Sequence, residues 1–357
     1  MATYLITGFP GFIGARLVRR LLEDDPAAEI VALVEGRMAH RARQAAARLG
    51  ADRVEILPGD ITQRGLGLGT DDAERLAATV TTAFHLAAVY DLAVPLATAE
   101  RVNVEGTGNV LELLERCERL ERHNYVSTAY VAGTRNGVVY EHELVMGQGF
   151  KNHYESTKFQ AEVWVRRTMD RIPTTIYRPA IVVGDSRTGE TQKFDGPYYL
   201  LRSIAAMGDG PIPQIGRADA PFNVVPVDFV IDALVAGAGD SEAVGATLHL
   251  VDPDPITAHD VAEVFAEHYA GRRTRYRVSA RLVQESLRFA PVRKAMGGAP
   301  RESIIYLNHS VRFDTRQASA LLARNGVHCP HFVDYASAIV EFFRVHEDDP
   351  ALDPQAS

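Results

Sequence analysis

The sequence has little cysteine and no long apolar run, and both shortages restrict the classes of protein it can belong to. The 357 residues include only two cysteines, Cys117 and Cys329, and neither lies in a spacing typical of a metal site. We therefore expect no metal, no structural disulfide and a reduced, cytoplasmic setting. No uninterrupted apolar run reaches the roughly 18 residues of a transmembrane helix. The first predicted strand begins too early to follow a signal peptide.

An excess of basic charge is also missing. The 38 lysines and arginines are outnumbered by 46 aspartates and glutamates, which gives a formal net charge of -8. This balance argues against a general nucleic-acid-binding protein. With 46% hydrophobic and 24% charged residues, the composition is that of an ordinary globular protein. The length allows one large domain or two smaller ones.

A glycine-rich loop follows the first apolar stretch. Residues 3–7 are predicted as a buried strand and residues 15–24 as a helix. Gly8 permits a tight turn, Gly11 lets the backbone approach a pyrophosphate, and Gly14 lets the helix pack closely on the strand. The free N–H groups of the helix start would face the anion. The loop residues that we expect to bind a nucleotide cofactor are Gly8, Phe9, Gly11, Phe12, Ile13 and Gly14.

Segments of strand length alternate with segments of helical periodicity along most of the chain. The predicted strands are 3–7, 29–34, 54–57, 82–86, 124–126, 174–177 and 247–251, and the predicted helices include 15–24, 38–49, 95–116, 154–171, 198–207, 229–238, 258–270 and 333–346. This alternation predicts an α/β fold built on a doubly wound parallel (Rossmann) sheet. Ligands bind at the carboxyl ends of such strands, which are followed here by Gly8, Glu35, Asp60, Ala87 and Thr128.

The residue after the second strand bears on the choice of cofactor. Glu35 follows the glycine loop by about 20 residues, where a carboxylate accepts hydrogen bonds from the ribose of an adenosine. Its charge would repel a 2′-phosphate, which favours NADH over NADPH. Arg37 lies close by and could offset the repulsion, so it is a second candidate for contact with the same part of the cofactor.

Tyr154 and Lys158 stand one turn apart on the predicted helix 154–171, where they share a face. An ammonium group held near a phenol favours the phenolate, so we expect Lys158 to lower the pKa of Tyr154. A tyrosine of this kind can act as a general acid or base near neutral pH. A solvated helix face is the alternative interpretation of the same spacing.

The later part of the chain is less regular. We predict a cofactor-binding domain from residues 1–183 and 223–252, a mainly helical substrate-binding region from 184–222 and 253–346, and a disordered tail at 347–357. Asp228 and Thr257 are the expected caps of helices 229–238 and 258–270. Segment 278–298 mixes apolar and basic residues. It could form a lid helix, contact a membrane surface, or simply pack between domains.

These motifs together resemble those of the extended short-chain dehydrogenase/reductase family. The stretches that carry the resemblance occur in the family's order and are Thr7-Gly8-x-x-Gly11-x-x-Gly14, Gly59-Asp60-Ile61, His85-Leu86-Ala87-Ala88, Asn103-Val104-x-Gly106-Thr107, Ser127-Thr128-Ala129, Tyr154-x-x-x-Lys158 and Arg178-Pro179. Residues 126–131, 178–189 and 225–230 are similar to the fatty acyl-CoA reductase and thioester-reductase branch, known as male-sterility-like. Many reductases of that branch carry Arg in place of Glu35 and use NADPH.

The resemblance implies roles for the residues of the site. Tyr154 would donate the proton, Lys158 would hold the nicotinamide ribose, and Thr128 would hydrogen-bond the substrate oxygen, with Ser127 as the second choice. Asn103 would support a structural water or only stabilise a kink in its helix. Besides the loop residues and Lys158, the expected cofactor contacts are Glu35, Arg37, Asp60, Ile61, Leu86, Ala87, Ala88, Pro179, Ala180 and Ile181.

The resemblance implies an NAD(P)H-dependent oxidoreductase that reduces a lipophilic carbonyl, most readily an acyl thioester on CoA or a carrier protein, or its aldehyde. A nucleotide-sugar epimerase or dehydratase, or a hydroxysteroid-type dehydrogenase, on the same scaffold is the first alternative, and Lys193, Arg202 and Arg217 could serve a diphosphate there. A protein that only senses the cofactor is the second. A homodimer and peripheral membrane contact are further expectations.

Overall fold

The computed structural model describes residues 2–50, 53–91, 93–216, 219–289, 292–293, 298 and 303–353. Its centre is a seven-stranded parallel sheet. The strands of this sheet are β1 (Thr3–Thr7), β2 (Glu29–Val34), β3 (Val54–Pro58), β4 (Thr82–His85), β5 (Arg122–Val126), β7 (Thr174–Pro179) and β11 (Thr247–Leu250). They lie in the order β11-β7-β5-β4-β1-β2-β3, so the direction of winding reverses between β1 and β4. The predicted Rossmann sheet is confirmed, and its carboxyl edge carries the predicted residues.

Helices cover both faces of the sheet, and the residues of its strands are accordingly almost all buried. The helices are α1 (Phe12–Asp24), α2 (Ala39–Arg48), α3 (Thr70–Thr79), α4 (Leu96–Ala99), α5 (Gly106–Leu114), α6 (His153–Thr168), α7 (Tyr198–Ala206), α8 (Val227–Gly239), α9 (Ala258–Ala270), α10 (Ala280–Ser286), α11 (Arg316–Arg324) and α12 (Phe332–His346). Short 3-10 turns occupy Gly36–Met38, Arg64–Gly67, Ala129–Ala132, Ser241–Ala243, Ser303–Asn308 and Pro350–Leu352.

The predicted helix 95–116 is interrupted in its middle. Residues Glu100–Glu105 form a π-helix between α4 and α5, and the buried Asn103 lies inside it. A Cβ on Gly106 would approach the Ile61 side chain to 2.9 Å, so the small residue there permits close packing. A π-helical turn is rare and occurs frequently at functional sites.

The second part of the chain packs around a separate apolar cluster. Its largest fully buried members are aromatic. They come from the segment between residue 183 and α7 and from helices α7, α9 and α12, and they are Phe194, Tyr198, Phe265, Tyr335 and Phe343. Three pairs of short parallel strands lie outside the main sheet, β8 (Ile181–Val183) with β10 (Val224–Pro226), β9 (Pro213–Ile215) with β12 (Tyr276–Val278), and β6 (Gly137–Val139) with β13 (Val311–Phe313). The domain boundaries stay a prediction.

Several local expectations are modified. Asp228 is not a cap, because α8 begins at Val227 and the Asp228 carboxylate accepts hydrogen bonds from Ser186 instead. Thr257 caps α9 as predicted, with Asp260 completing a capping box. Part of the predicted tail is ordered, since the Phe194 N–H donates to the Leu352 carbonyl. Segment 278–298 is described only in part, and Arg217 lies outside the described residues. None of the described helices is both long and apolar enough to span a bilayer.

Candidate active site

The glycine loop after β1 closes against the end of β4. Gly8 has a φ of +90°, and a Cβ on it would lie 2.9 Å from the Ala87 nitrogen. A Cβ on Gly11 or Gly14 would lie 2.8 Å or 2.6 Å from the Gly8 carbonyl oxygen. The fold of the loop therefore requires glycine at all three predicted positions.

The loop leaves the first turn of α1 open to an anion. Gly11 precedes α1 and offers no side-chain cap, so another acceptor can take the free N–H groups that begin at Phe12. This arrangement fits the pyrophosphate of a dinucleotide. Phe12 and Ile13 are partly buried beside the loop, whereas Phe9 is 3% exposed and packs in the core. Phe9 was predicted to contact the cofactor, but its side chain packs in the core and supports the loop from that side.

The adenosine end of the expected cofactor site carries an exposed ion pair. The Arg37 Nε lies 2.8 Å from the Glu35 Oε1, and the two side chains are 79% and 45% exposed. Glu35 directly follows β2, as predicted. Because the guanidinium sits on the carboxylate, the charge that would repel a 2′-phosphate is partly compensated.

The other predicted cofactor contacts lie along the same edge of the sheet. Ile61 follows Asp60 after β3, and its carbonyl accepts a hydrogen bond of 2.7 Å from the Asn109 amide. The Leu86 N–H donates to the Thr7 carbonyl, which places the partly buried Leu86, Ala87 and Ala88 beside the glycine loop.

Pro179, Ala180 and Ile181 form the connection from β7 to β8, near the predicted substrate site. The Thr128 Oγ1 lies 3.5 Å from the Pro179 carbonyl. The Ala180 N–H donates to the Leu250 carbonyl, and the Ile181 N–H donates to the Asn223 carbonyl. The connection is thereby held against the strand ends on which the nicotinamide end of a dinucleotide would lie.

Tyr154 and Thr128 are brought together. Tyr154 lies in the first turn of α6, whose start is fixed by the Asn152 side chain accepting from the Glu155 N–H at 2.9 Å. Thr128 follows β5. Burial raises the pKa of Tyr154 to about 12, and a hydrogen bond with Thr128 offsets part of the rise. The phenol is therefore fully protonated at neutral pH, as a proton donor must be.

Lys158 is not directed at Tyr154. Its Nζ donates to the Tyr125 hydroxyl at 2.9 Å and to the Val126 carbonyl at 2.8 Å. Burial lowers the pKa of Lys158 to about 7, against the opposing effect of the Glu162 charge. The prediction that Lys158 lowers the pKa of Tyr154 is wrong for this structure, because burial of the phenol dominates. The shared helix face of the two residues is as predicted.

A buried polar chain connects Lys158 to the glycine loop. Tyr125, which accepts from Lys158, also forms a hydrogen bond with Thr107. The Thr107 Oγ1 lies 3.1 Å from the His85 Nε2. The His85 Nδ1 lies 2.7 Å from the Thr7 Oγ1, which also accepts from the Ala87 N–H. Burial holds the pKa of His85 well below its usual range, so the imidazole is neutral. The chain fixes the relative positions of β1, β4, β5 and α6.

Asn103 is a positioning residue. Its amide Oδ1 accepts from the Val89 N–H at 2.9 Å, while its Nδ2 donates to the Val89 carbonyl at 3.1 Å and to the Thr157 Oγ1 at 3.0 Å. The side chain thus joins the loop after β4 to α6, next to Tyr154. Both ends of the amide are used in this way, so its role here is to hold other segments.

Ser127 belongs to a different network. Its hydroxyl donates to the Glu162 carboxylate at 2.6 Å, so its hydrogen is not directed at a substrate oxygen. Glu162 also binds Arg178, at 2.6 Å with both side chains fully buried, and Arg166 at 3.0 Å. Of the five residues predicted to be catalytic, only Thr128 and Tyr154 are hydrogen-bonded to each other, while Ser127, Lys158 and Asn103 bond to other groups.

Sequence reasoning missed three residues of this region, Tyr125, His85 and Glu162, as supports of the site. Tyr125 lies two residues before Ser127, which follows β5, and residues at this spacing in an extended backbone point to the same side. Glu162 lies one turn after Lys158 on α6, so the same spacing that paired Tyr154 with Lys158 also indicated it.

Comparisons with known proteins place the chain in a family. The family model described as male sterility protein, an NAD-binding domain, matches residues 6–234. The chain belongs to this family. The male sterility family consists of NAD(P)-dependent reductases of the extended short-chain dehydrogenase/reductase type, so the predicted family and enzyme class are confirmed.

Three relatives show how this family member is related to larger proteins. It is 27% identical to a linear gramicidin synthase polypeptide of Brevibacillus parabrevis over 95% of this chain and 7% of that protein. It is 27% identical to the fatty acyl-CoA reductase wat of Drosophila melanogaster over 66% and 53%. It is 31% identical to the aldehyde reductase lnaA of Aspergillus flavus, over 70% of this chain and 25% of that protein. The chain thus spans about half the length of these relatives at most.

The fold agrees with solved structures. The terminal R domain from the myxalamid PKS-NRPS biosynthetic pathway superposes with a TM-score of 0.83 and 27% identity, over 97% of this chain and 91% of that one. The reductase domain of a nonribosomal peptide synthetase from Mycobacterium tuberculosis gives 0.74 at 23% identity, over 97% and 92%, which supports the fold alone.

Proposed function

We propose that this protein reduces an acyl thioester, or the aldehyde formed from it, with Tyr154 as the proton donor. The observation that carries the proposal is the pairing of Tyr154 with Thr128 at the carboxyl edge of the sheet, beside the glycine loop. Bound reduced nicotinamide cofactor supplies the hydride. The similarity to a fatty acyl-CoA reductase and to an aldehyde reductase supports this substrate class.

The two hydroxyl groups account for the chemistry of the substrate oxygen. Hydride addition to the carbonyl carbon places negative charge on that oxygen, where Thr128 and Tyr154 donate hydrogen bonds. The contact of the Thr128 hydroxyl with the Pro179 carbonyl, at 3.5 Å, is at the limit of a hydrogen bond, so this carbonyl competes little for the hydroxyl hydrogen. Tyr154 then transfers its proton to the oxygen and gives a hemithioacetal.

The hemithioacetal breaks down to an aldehyde and a thiol. Its C–S bond breaks, the C=O bond re-forms, and the hydroxyl proton goes to sulfur, so that atoms and charge balance. A second hydride and a second proton from Tyr154 would convert the aldehyde into an alcohol. The thiol is that of CoA or of a carrier protein.

For the cofactor, we propose a preference for NADH over NADPH. Its support is the carboxylate of Glu35 at the end of β2, which can accept hydrogen bonds from a ribose diol. Arg37 reduces this preference through its ion pair with Glu35.

The test is to incubate the protein with NADH or NADPH and a series of medium- and long-chain acyl-CoA thioesters. We expect cofactor oxidation with one free thiol released for each aldehyde formed. Thr128→Val should slow the reaction about 10- to 100-fold, because valine has the shape of threonine but donates no hydrogen bond. Thr79→Val, at the end of α3, is the matched control and should leave the rate unchanged.

Oxidation of cofactor by free aldehydes, without thiol release from any thioester, would refute the thioester part. The protein would then be a reductase of free carbonyl compounds.

A further inference from the structure

A run of arginines between α9 and α10 stands out in a chain whose net charge is -8. Every second residue from 273 to 277 is an arginine: Arg273 and Arg275 precede β12, and Arg277 lies in it. All three are exposed. Among the residues that the structure describes, no acidic side chain forms an ion pair with any of them. Arginine guanidinium groups without a carboxylate partner are typical binders of phosphate.

These three arginines line a cavity of about 400 Å³. Gln214, on the neighbouring strand β9, lines the same cavity and is paired with Arg277 in the parallel register. Paired residues of adjacent strands point to the same face of a sheet, so the amide and the guanidinium converge. The volume falls within the range of small-molecule sites, but the polar lining does not suit an apolar acyl chain.

Two further polar groups in the lining of this cavity have no hydrogen-bond partner among the described residues. Gln214 is 7% exposed, and its Nε2 has no hydrogen-bond partner in the part of the chain that the structure describes. The same holds for the buried Nδ1 of His259, in the first turn of α9. A buried donor without an acceptor is costly in a folded protein, so such a group is normally satisfied by a ligand or a water.

The acidic group of the cavity does not oppose an anion strongly. Glu263 lies in the lining, and its Oε1 accepts hydrogen bonds from the Thr274 N–H, at 2.9 Å, and from the Thr274 hydroxyl. This carboxylate is therefore engaged with the loop that carries the arginines. The arginine side chains and the Gln214 amide nitrogen are the groups of the lining that can donate to a ligand.

We propose that this cavity binds a multiply charged phosphate group, at a site separate from the glycine loop. The ligand is defined by its chemistry, a phosphate monoester or a diphosphate that accepts hydrogen bonds from the arginines and from Gln214. Two sources carry this chemistry, the 3′-phosphate of CoA and free inorganic phosphate compounds. The site does not depend on the proposed reduction.

The experiment measures binding of inorganic pyrophosphate by calorimetry, with NAD present at saturation so that the glycine loop is occupied. We expect one site per chain. Arg275→Gln and Arg277→Gln should each weaken binding about tenfold, the loss of one charged hydrogen bond. Gln214→Glu, of equal size but negative, should weaken binding further. Arg119 is exposed in the segment between α5 and β5. Arg119→Gln should leave the affinity for pyrophosphate unchanged, and it controls for the loss of one positive charge.

A second measurement, the melting temperature with and without pyrophosphate, tests the proposal even if one of the binding variants folds poorly. Gln214→Leu removes an unsatisfied amide, so without ligand it should be at least as stable as the original protein. Pyrophosphate should raise the melting temperature of the original protein but not that of Gln214→Leu. Affinity for NAD should be equal in both.

Competition identifies the source of the phosphate. If CoA displaces pyrophosphate and dephospho-CoA competes about tenfold more weakly, the ligand is the 3′-phosphate of CoA. Failure of both to compete would support a free inorganic ligand. Absence of pyrophosphate binding, or equal binding by the original protein and Gln214→Glu, would overturn the proposal.

Discussion

Two Arg–Glu pairs stand at the two ends of the expected cofactor site, and they differ in burial. Glu162 and Arg178 are both 0% exposed near the proposed catalytic residues, whereas Glu35 and Arg37 are 45% and 79% exposed at the expected adenosine end. A buried pair is costly to break, while an exposed pair contributes little. We therefore expect the end of the site near Tyr154 to be rigid and the end near Glu35 to tolerate substitution.

The largest effect should come from breaking the buried pair. Glu162→Gln leaves Arg178 and Arg166 without their carboxylate and should lower the free energy of unfolding by about 3–5 kcal/mol. Glu35→Gln is the matched control and should cost less than about 1 kcal/mol. Urea denaturation of both variants measures the difference. Equal losses would mean that burial is not what separates the two pairs.

Tyr154→Phe should have the next largest effect, on rate and not on stability. Removal of the proton donor should lower turnover by about 10²–10⁴, with NAD(P)H affinity nearly unchanged because the ring still packs. Tyr140→Phe, at an exposed tyrosine, is the control. Steady-state kinetics and a cofactor titration measure both quantities. Turnover close to that of the original protein would exclude Tyr154 as the donor.

Most of this architecture could be predicted because apolar strands and glycine turns are local features. All seven strands of the main sheet were expected near their observed positions, and the residues that follow them lie at one edge. The six short strands β6, β8, β9, β10, β12 and β13 were not predicted, because three residues show no periodicity. Their pairing depends on contacts between distant parts of the chain.

The site was predicted in its residues but not in its electrostatics. The spacing of Tyr154 and Lys158 indicated a shared face, but it could not show that Tyr125 and the Val126 carbonyl take the ammonium group. It could not show the burial that raises the pKa of Tyr154 either. Similarly, the motif Ser127-Thr128 indicated two hydroxyls, and only the position of Glu162 distinguishes between them.

The pH dependence gives a smaller effect at the buried end. With a pKa of about 7, Lys158 is charged below this pH and neutral above it. If the ammonium form is needed to hold the cofactor ribose, kcat/KM for the cofactor should fall as pH rises through about 7. In Tyr125→Phe the ammonium loses an acceptor, so the fall should move to lower pH. A profile that is flat to about pH 9, or unmoved in the variant, would contradict this.

The smallest effect is expected at the exposed pair. Glu35→Arg should shift the ratio of kcat/KM values toward NADPH by about two- to fivefold, because exposed charges are screened by solvent. Arg37→Gln should shift it the other way, toward NADH, since the carboxylate loses its counterion. Initial rates with the two cofactors measure the ratio. A clear NADPH preference that disappears in Arg37→Gln would show that the guanidinium dominates.

The π-helical turn at Glu100–Glu105 makes the site sensitive to the length of the chain as well as to its composition. A π-helix holds one more residue in its turn than an α-helix does. Deleting Val102 would therefore return the segment to regular α-helical hydrogen bonding and would change the direction of the Asn103 side chain. The amide would leave both Val89 and Thr157. A deletion that makes the helix more regular would thus detach the loop after β4 from α6.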